Sequence, residues 1–105
     1  MIDTNGIVLI GRLTRDADLQ HDKEGKPVSN FSIVYNWYND GVGYIDCTLW
    51  GAIAETLNQY LKTGKQVAVK GELRWRTWET DDIKKSKTII EVRRIQLLGR
   101  GINET

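Results

Sequence analysis

The segment Leu73-Arg74-Trp75-Arg76-Thr77-Trp78 sets two tryptophans and two arginines within six residues. Aromatic rings stack on nucleobases and guanidinium groups meet phosphates, so this mixture suits a single-stranded nucleic acid. If residues 72 to 78 are extended, alternate side chains face opposite ways. Arg74, Arg76 and Trp78 then share one surface, while Leu73 and Trp75 share the other. Core parity makes Trp75 a packing or interface residue rather than a DNA contact. The plainer account of the same strand is an exposed edge kept soluble by its arginines.

Other side chains with chemical potential are sparse. Lys84, Lys85 and Lys87 adjoin Trp78 across a charged hairpin connection, Asp81 to Lys87, where they can clamp a phosphate or simply be solvated. His21 is the one histidine and lies in a turn-rich, acidic stretch, which gives no metal site and leaves it solvated. Cys47 is the single cysteine. It cannot form an internal disulfide and reads as a small buried hydrophobe. Gly41-Val42-Gly43 and Gly99-Arg100-Gly101 fit neither a P-loop nor a dinucleotide fingerprint, so no nucleotide cofactor is expected. The acidic residues fall mostly in turns, without the paired carboxylates, activated nucleophile or metal cluster that catalysis needs. The reading is a binding protein, with no cofactor and no enzyme activity.

At 105 residues and 40% hydrophobic, the chain supplies one core. The expected division is a single domain over residues 1–99 and a short extension over 100–105. No apolar run reaches the length of a membrane span, and the N-terminal residues lack the pattern of a signal peptide, so the expected location is cytoplasmic, on the nucleoid. The formal net charge of +1 hides an asymmetry. Residues 1–61 hold four Lys/Arg against eight Asp/Glu, or −4, and residues 62–100 hold eleven against five, or +6, with Glu104 the remaining −1. A polyanion would sit on the second half.

Five strands and one helix must position these residues. Ile7 to Leu13 is a β-branched run that bends at Gly11. After the turn around Asp22 to Pro27, a second strand runs from Val28 to Trp37, and a third from Tyr44 to Trp50. In the third, Ile45, Cys47 and Leu49 face the core while Tyr44, Asp46, Thr48 and Trp50 face out, a second hint of a stacking surface. Residues 52–61 change period, with Ile53, Leu57, Tyr60 and Leu61 on one helical face and Gly64 closing the helix. A fourth strand from Val67 bends at Gly71 into the Trp/Arg segment, and a fifth runs from Thr88 to Leu98 with Ile90 and Val92 inward. Phe31 and Ile33 are core positions. Five strands with a helix between the third and fourth close most economically as an all-β OB-fold, a Greek-key barrel that leaves few free edges.

Four stretches in register with these elements carry a family resemblance: Asn5 through Leu13, Leu49-Trp50-Gly51 with Ala54-Glu55, Tyr60 through Gly64, and Val67 through Gly71 to Trp78. Over residues 5–98 the sequence resembles the bacterial single-stranded-DNA-binding protein family. That resemblance implies an OB-fold that assembles as a homotetramer, wraps single-stranded DNA without sequence specificity, and protects it in replication, recombination and repair. It also implies stacking roles for Trp78, for Trp50 where the family has a phenylalanine before glycine, and for Tyr44 where it often has a tryptophan. Trp37 or Tyr38 answers to the aromatic ending the second strand, although the turn 39–43 is shorter than the family norm. Together with Arg74, Arg76, Lys84, Lys85 and Lys87 read from the residues themselves, the expected DNA-binding set is Trp37, Tyr44, Trp50, Arg74, Arg76, Trp78, Lys84, Lys85 and Lys87.

Two rival readings share the fold: a primosomal replication protein, and an OB domain serving mainly protein contacts. The aromatic trio argues against the first, and Arg74 with Arg76 against the second. Family members continue into an acidic-tipped tail that recruits other enzymes. The stretch Gly99 to Thr105 has no aspartate run, so tail-dependent partners are not expected.

Overall fold

The computed structural model describes residues 5–36, 39 and 41–99. Six strands and one short helix follow in the order β1 (Ile7–Leu13), β2 (Asp18–His21), β3 (Pro27–Asn36), β4 (Val42–Trp50), α1 (Ala52–Leu57), β5 (Gln66–Thr80) and β6 (Ile83–Leu97). They form one sheet in the order β1-β5-β6-β4-β3-β2, and an extra β1–β3 pairing at Arg12↔Val34 and Leu13↔Ile33 closes it into a ring. Every pairing is antiparallel except β4–β6. This is the expected OB-fold, with the helix between β4 and β5.

Two glycines permit the closure. A Cβ on Gly11 would overlap the Ile33 side chain and the Val34 carbonyl where β1 crosses β3. At Gly71 it would overlap the Glu91 carbonyl, beside the bulge that shifts the β5–β6 register between Lys70 and Gly71. The ring encloses Leu13, Phe31, Ile33, Cys47, Leu49, Leu61, Val67, Val69, Ile90 and Val92. Phe31 and Ile33 are core, as their parity requires.

Four details depart from the sequence reading. Strand β2 was not expected: Asp18-Leu19-Gln20-His21 is polar, and Leu19 alone packs on the core, so pairing with β3 makes this strand rather than its own pattern. The helix stops at Leu57 and a 3-10 turn carries on over Asn58–Tyr60. Its inward positions are Ala54, Leu57 and Leu61, whereas Ile53 and Tyr60 are exposed, one step round the helix from the expected stripe. The hairpin link is two residues long, not seven. Asp81 and Asp82 both take positive φ, 51° and 66°, the requirement of a tight turn whose twist matches the strands, so the lysines belong to β6 itself.

The largest difference concerns length. β1 reaches only as far as Gly71 on β5, and β4 pairs with β6 only over Ile89 to Val92. Beyond those points β5 and β6 continue as a two-stranded arm, paired from Trp75↔Thr88 to Thr80↔Ile83. Every residue from Leu73 to Thr88 is exposed.

Candidate nucleic-acid interface

Alternation along each strand and register between strands decide which side chains meet. On β4 Tyr44, Asp46, Thr48 and Trp50 share the outer side as expected, but only Tyr44 is exposed; Asp46 and Trp50 are half-buried and Thr48 is buried. Pairing of Asp46 with Ile89 sets β6 beside them, and Arg74↔Ile89, Arg76↔Lys87 and Trp78↔Lys85 carry the same face onto β5. Tyr44, Trp50, Arg76, Trp78, Lys85 and Lys87 therefore lie on one continuous outer face. Tyr44 is 68% exposed and Trp78 41%. Trp37, the remaining aromatic of the expected set, lies outside the described residues.

Two expected contacts stand elsewhere. Lys84 pairs with Glu79 and so points to the opposite side of the arm from Lys85 and Lys87. Arg74 has the right face but is occupied. Its Nε lies 2.8 Å from Glu91 and its terminal nitrogen 3.4 Å from Glu72, and Arg93 bridges the same two carboxylates at 3.1 and 3.4 Å. Two cations and two anions neutralise each other there.

Trp75 departs from the packing half of its expectation. It shares a side with Leu73 and the buried Ile90, which is core parity, yet it is 71% exposed. Parity tells which face a side chain joins, and here β1, whose end marks the end of the barrel along β5, has stopped at Gly71, four residues earlier.

Two residues join the face that the sequence reading passed over. The ammonium of Lys26 lies 5.4 Å from the centre of the Trp50 ring, a cation–π distance that braces the indole. Arg15, in the link from β1 to β2, lines a polar cleft of about 230 Å³ together with Asn30, Asp46, Thr48, Arg76 and Lys87. Asp46 pairs directly with Lys87. A signal for Lys26 existed, since this lysine immediately precedes the strand that pairs Val28 with Trp50. For Arg15 none did, because its position depends on a loop.

Electrostatics in the cleft follow from these neighbours. Burial works against ionisation of Asp46, but the hydrogen bond and charge of Lys87, with Ser32 and Arg15 behind them, outweigh it and hold the carboxyl below its ordinary value. Behind it, burial first and the Asp46 charge second push the Cys47 thiol up to about 12. The thiol is thus protonated and unreactive at neutral pH. Among the described residues no group of three or more His, Cys, Asp or Glu is placed to hold a metal ion, and no helix is long and apolar enough to cross a membrane.

Sequence relatives agree with the geometry. A protein from Treponema pallidum named single-stranded DNA-binding protein is 43% identical over 94% of this chain, which spans 60% of that relative's length. One of the same name from Borreliella burgdorferi is 42% identical over 98% of the chain and 75% of its own length. Single-stranded DNA-binding protein 2 of Chlorobaculum tepidum is 36% identical over 95% and 74%. The profile of the single-strand binding protein family matches residues 4–98, from before β1 to the residue after β6, which takes in the whole ring and both strands of the arm. A closed ring with one helix, an aromatic and basic outer face, and a family match across all of it lead to one assignment: the chain belongs to the single-strand binding protein family.

Proposed function

We propose that this chain binds single-stranded DNA with little sequence preference and protects it during replication, recombination and repair, as a non-catalytic protein of the cytoplasm and nucleoid. The observation that carries the reading is the coincidence of Tyr44, Trp50 and Trp78 with Arg76, Lys85 and Lys87 on one outer face. The cations capture phosphates and release counterions, and the rings then hold splayed bases. Each stacked base contributes about 1–3 kcal/mol, so the aromatics rather than the small net charge set most of the affinity. Trp37 joins the set on family resemblance. Arg74 and Lys84 have lesser parts, the one tied to Glu72 and Glu91 and the other turned to the back of the arm.

Titration of tryptophan fluorescence tests this directly. Poly-dT should quench strongly and duplex DNA of equal length should not, because only unpaired bases can stack on Trp50 and Trp78. Equal affinity for duplex would sink the reading.

We further propose that the functional unit is a homotetramer built through β1. Support comes from its outward residues Val8 and Ile10, 65% and 53% exposed, and from the edge of β1 opposite β5, which among the described residues meets β3 only at Arg12 and Leu13. Exposed apolar side chains along a free strand edge favour pairing between copies. Sedimentation equilibrium showing a monomer at micromolar concentration would refute it and favour the primosomal relative of the same fold.

A further inference from the structure

We propose that Asp46 is a built-in rival of the DNA phosphate for Lys87, and that it sets how tightly and how salt-dependently this face holds a single strand. The proposal rests on the DNA-binding reading above and adds its regulation. Asp46 sits on β4 between Tyr44 and Trp50, in the middle of the face a strand would cross. A carboxylate has no donor for a phosphate and repels it. Its ammonium partner, Lys87, can serve Asp46 or a phosphodiester, but serving one weakens its hold on the other.

The surroundings make this pair exchangeable. Arg74 and Arg93 are held by two carboxylates, of which Glu91 is three-quarters buried, with a side-chain exposure of 25%. Lys87 and Asp46 form a single pair with 43% and 42% of their side chains in solvent. Exposed single pairs are weak and salt-screened. Arg15 and Arg76 line the same cleft, so one carboxylate stands among three cations. Without DNA it keeps them from repelling one another. A bound phosphate replaces it as the counter-anion of Lys87, and the energy of the broken pair is subtracted from the affinity. The carboxyl lies below its ordinary value, so the rival is charged throughout the neutral range.

The test is the Asp46→Asn protein, which keeps the shape of the side chain and removes its charge, titrated with oligo(dT) over a series of salt concentrations. Binding should tighten by up to about fivefold at low salt, the size of an exposed pair. The log–log salt dependence should steepen by about 0.7, one more phosphate neutralised on a single strand. In a Lys87→Ala background the same substitution should gain much less, since the cation it frees is gone. Melting curves of all four proteins guard against a fold defect, and if Asp46→Asn melts early, Lys87→Gln supplies the second readout. In the otherwise natural chain Lys87→Gln should reduce the salt slope by clearly less than Arg76→Gln, and equal reductions would overturn the proposal. Unchanged affinity and slope in a stably folded Asp46→Asn would also overturn it. So would weaker binding that is worse for oligo(dC) than for oligo(dT), because the carboxylate would then be accepting hydrogen bonds from base amino groups. Failure of the natural chain to bind oligo(dT) would end the DNA reading and this proposal with it.

Discussion

The barrel and the arm are built from the same two strands, yet alternation means different things in each. Where β5 lies between β1 and β6, alternation separates core from solvent: Val67 and Val69 are buried and Lys70 is exposed. Past Gly71 the same period separates two exposed faces, one with Arg76 and Trp78 and the other with Leu73 and Trp75. A strand buries its apolar side only as far as its neighbours run. The barrel spends its apolar residues on stability, while the arm presents its rings to a ligand.

Substitutions on each side of that boundary should separate stability from binding. Phe31→Ala, in the packed ring, should cost about 3–5 kcal/mol of unfolding free energy through transfer and cavity terms, measured by urea denaturation. Trp78→Ala should leave the melting point nearly unchanged and lose about 1–3 kcal/mol of affinity for oligo(dT). A large stability loss from Trp78→Ala would show that the arm is packed after all, and the contrast would fail.

Much of this division was legible in the sequence, and its limits have identifiable causes. The side shared by Tyr44, Asp46, Thr48 and Trp50 followed from period two, as did Phe31 and Ile33 in the core, but the burial of Thr48 did not, because period two says nothing of what covers the outer side. Trp75 was expected to pack or to lie at an interface, and the packing half fails because parity carries no information about where the covering strands stop. Arg74 read as free because Glu91, which binds it, lies seventeen residues away and meets it only through the β5–β6 register, bulge included. Asp18 to His21 gave no strand pattern, since an edge strand with one half-buried leucine is specified by its partner.

Charge neutralisation sharpens the contrast further. Arg76→Gln should reduce the log–log salt slope for oligo(dT) by about 0.7, one lost phosphate contact. Arg74→Gln should change that slope little. Its effect should appear as a small loss of stability, below about 1 kcal/mol for a half-exposed ion network. Equal slopes for the two variants would mean that Glu72 and Glu91 release Arg74 when DNA arrives. Trp75→Ala should move stability by no more than about 0.5 kcal/mol, the range of exposed positions. A larger loss that depends on protein concentration would place Trp75 between copies of the chain.

The smallest expected effect belongs to the barrel rim and depends on pH. Asp16 accepts hydrogen bonds from the Thr63 backbone N–H at 2.8 Å and from its hydroxyl at 3.0 Å, and so ties the β1–β2 link to the turn that enters β5. The backbone bond first, then the hydroxyl and the charge of Lys62, lower its pKa from the ordinary 3.8 against a slight opposing cost of burial. A carboxyl whose folded pKa is depressed binds its proton less readily in the folded state than in the unfolded one. Its stabilisation is therefore complete above the unfolded value and fades as pH falls through 3.8 toward the lower folded value. Stability measured by urea denaturation from neutral pH downward should fall less steeply across that acid window for Asp16→Asn than for the natural chain. The two proteins should also differ most at neutral pH and converge in acid. Parallel acid limbs would show that the Thr63 contacts are made equally well by the neutral group, and that the carboxylate charge at this rim contributes nothing to the closure of the ring.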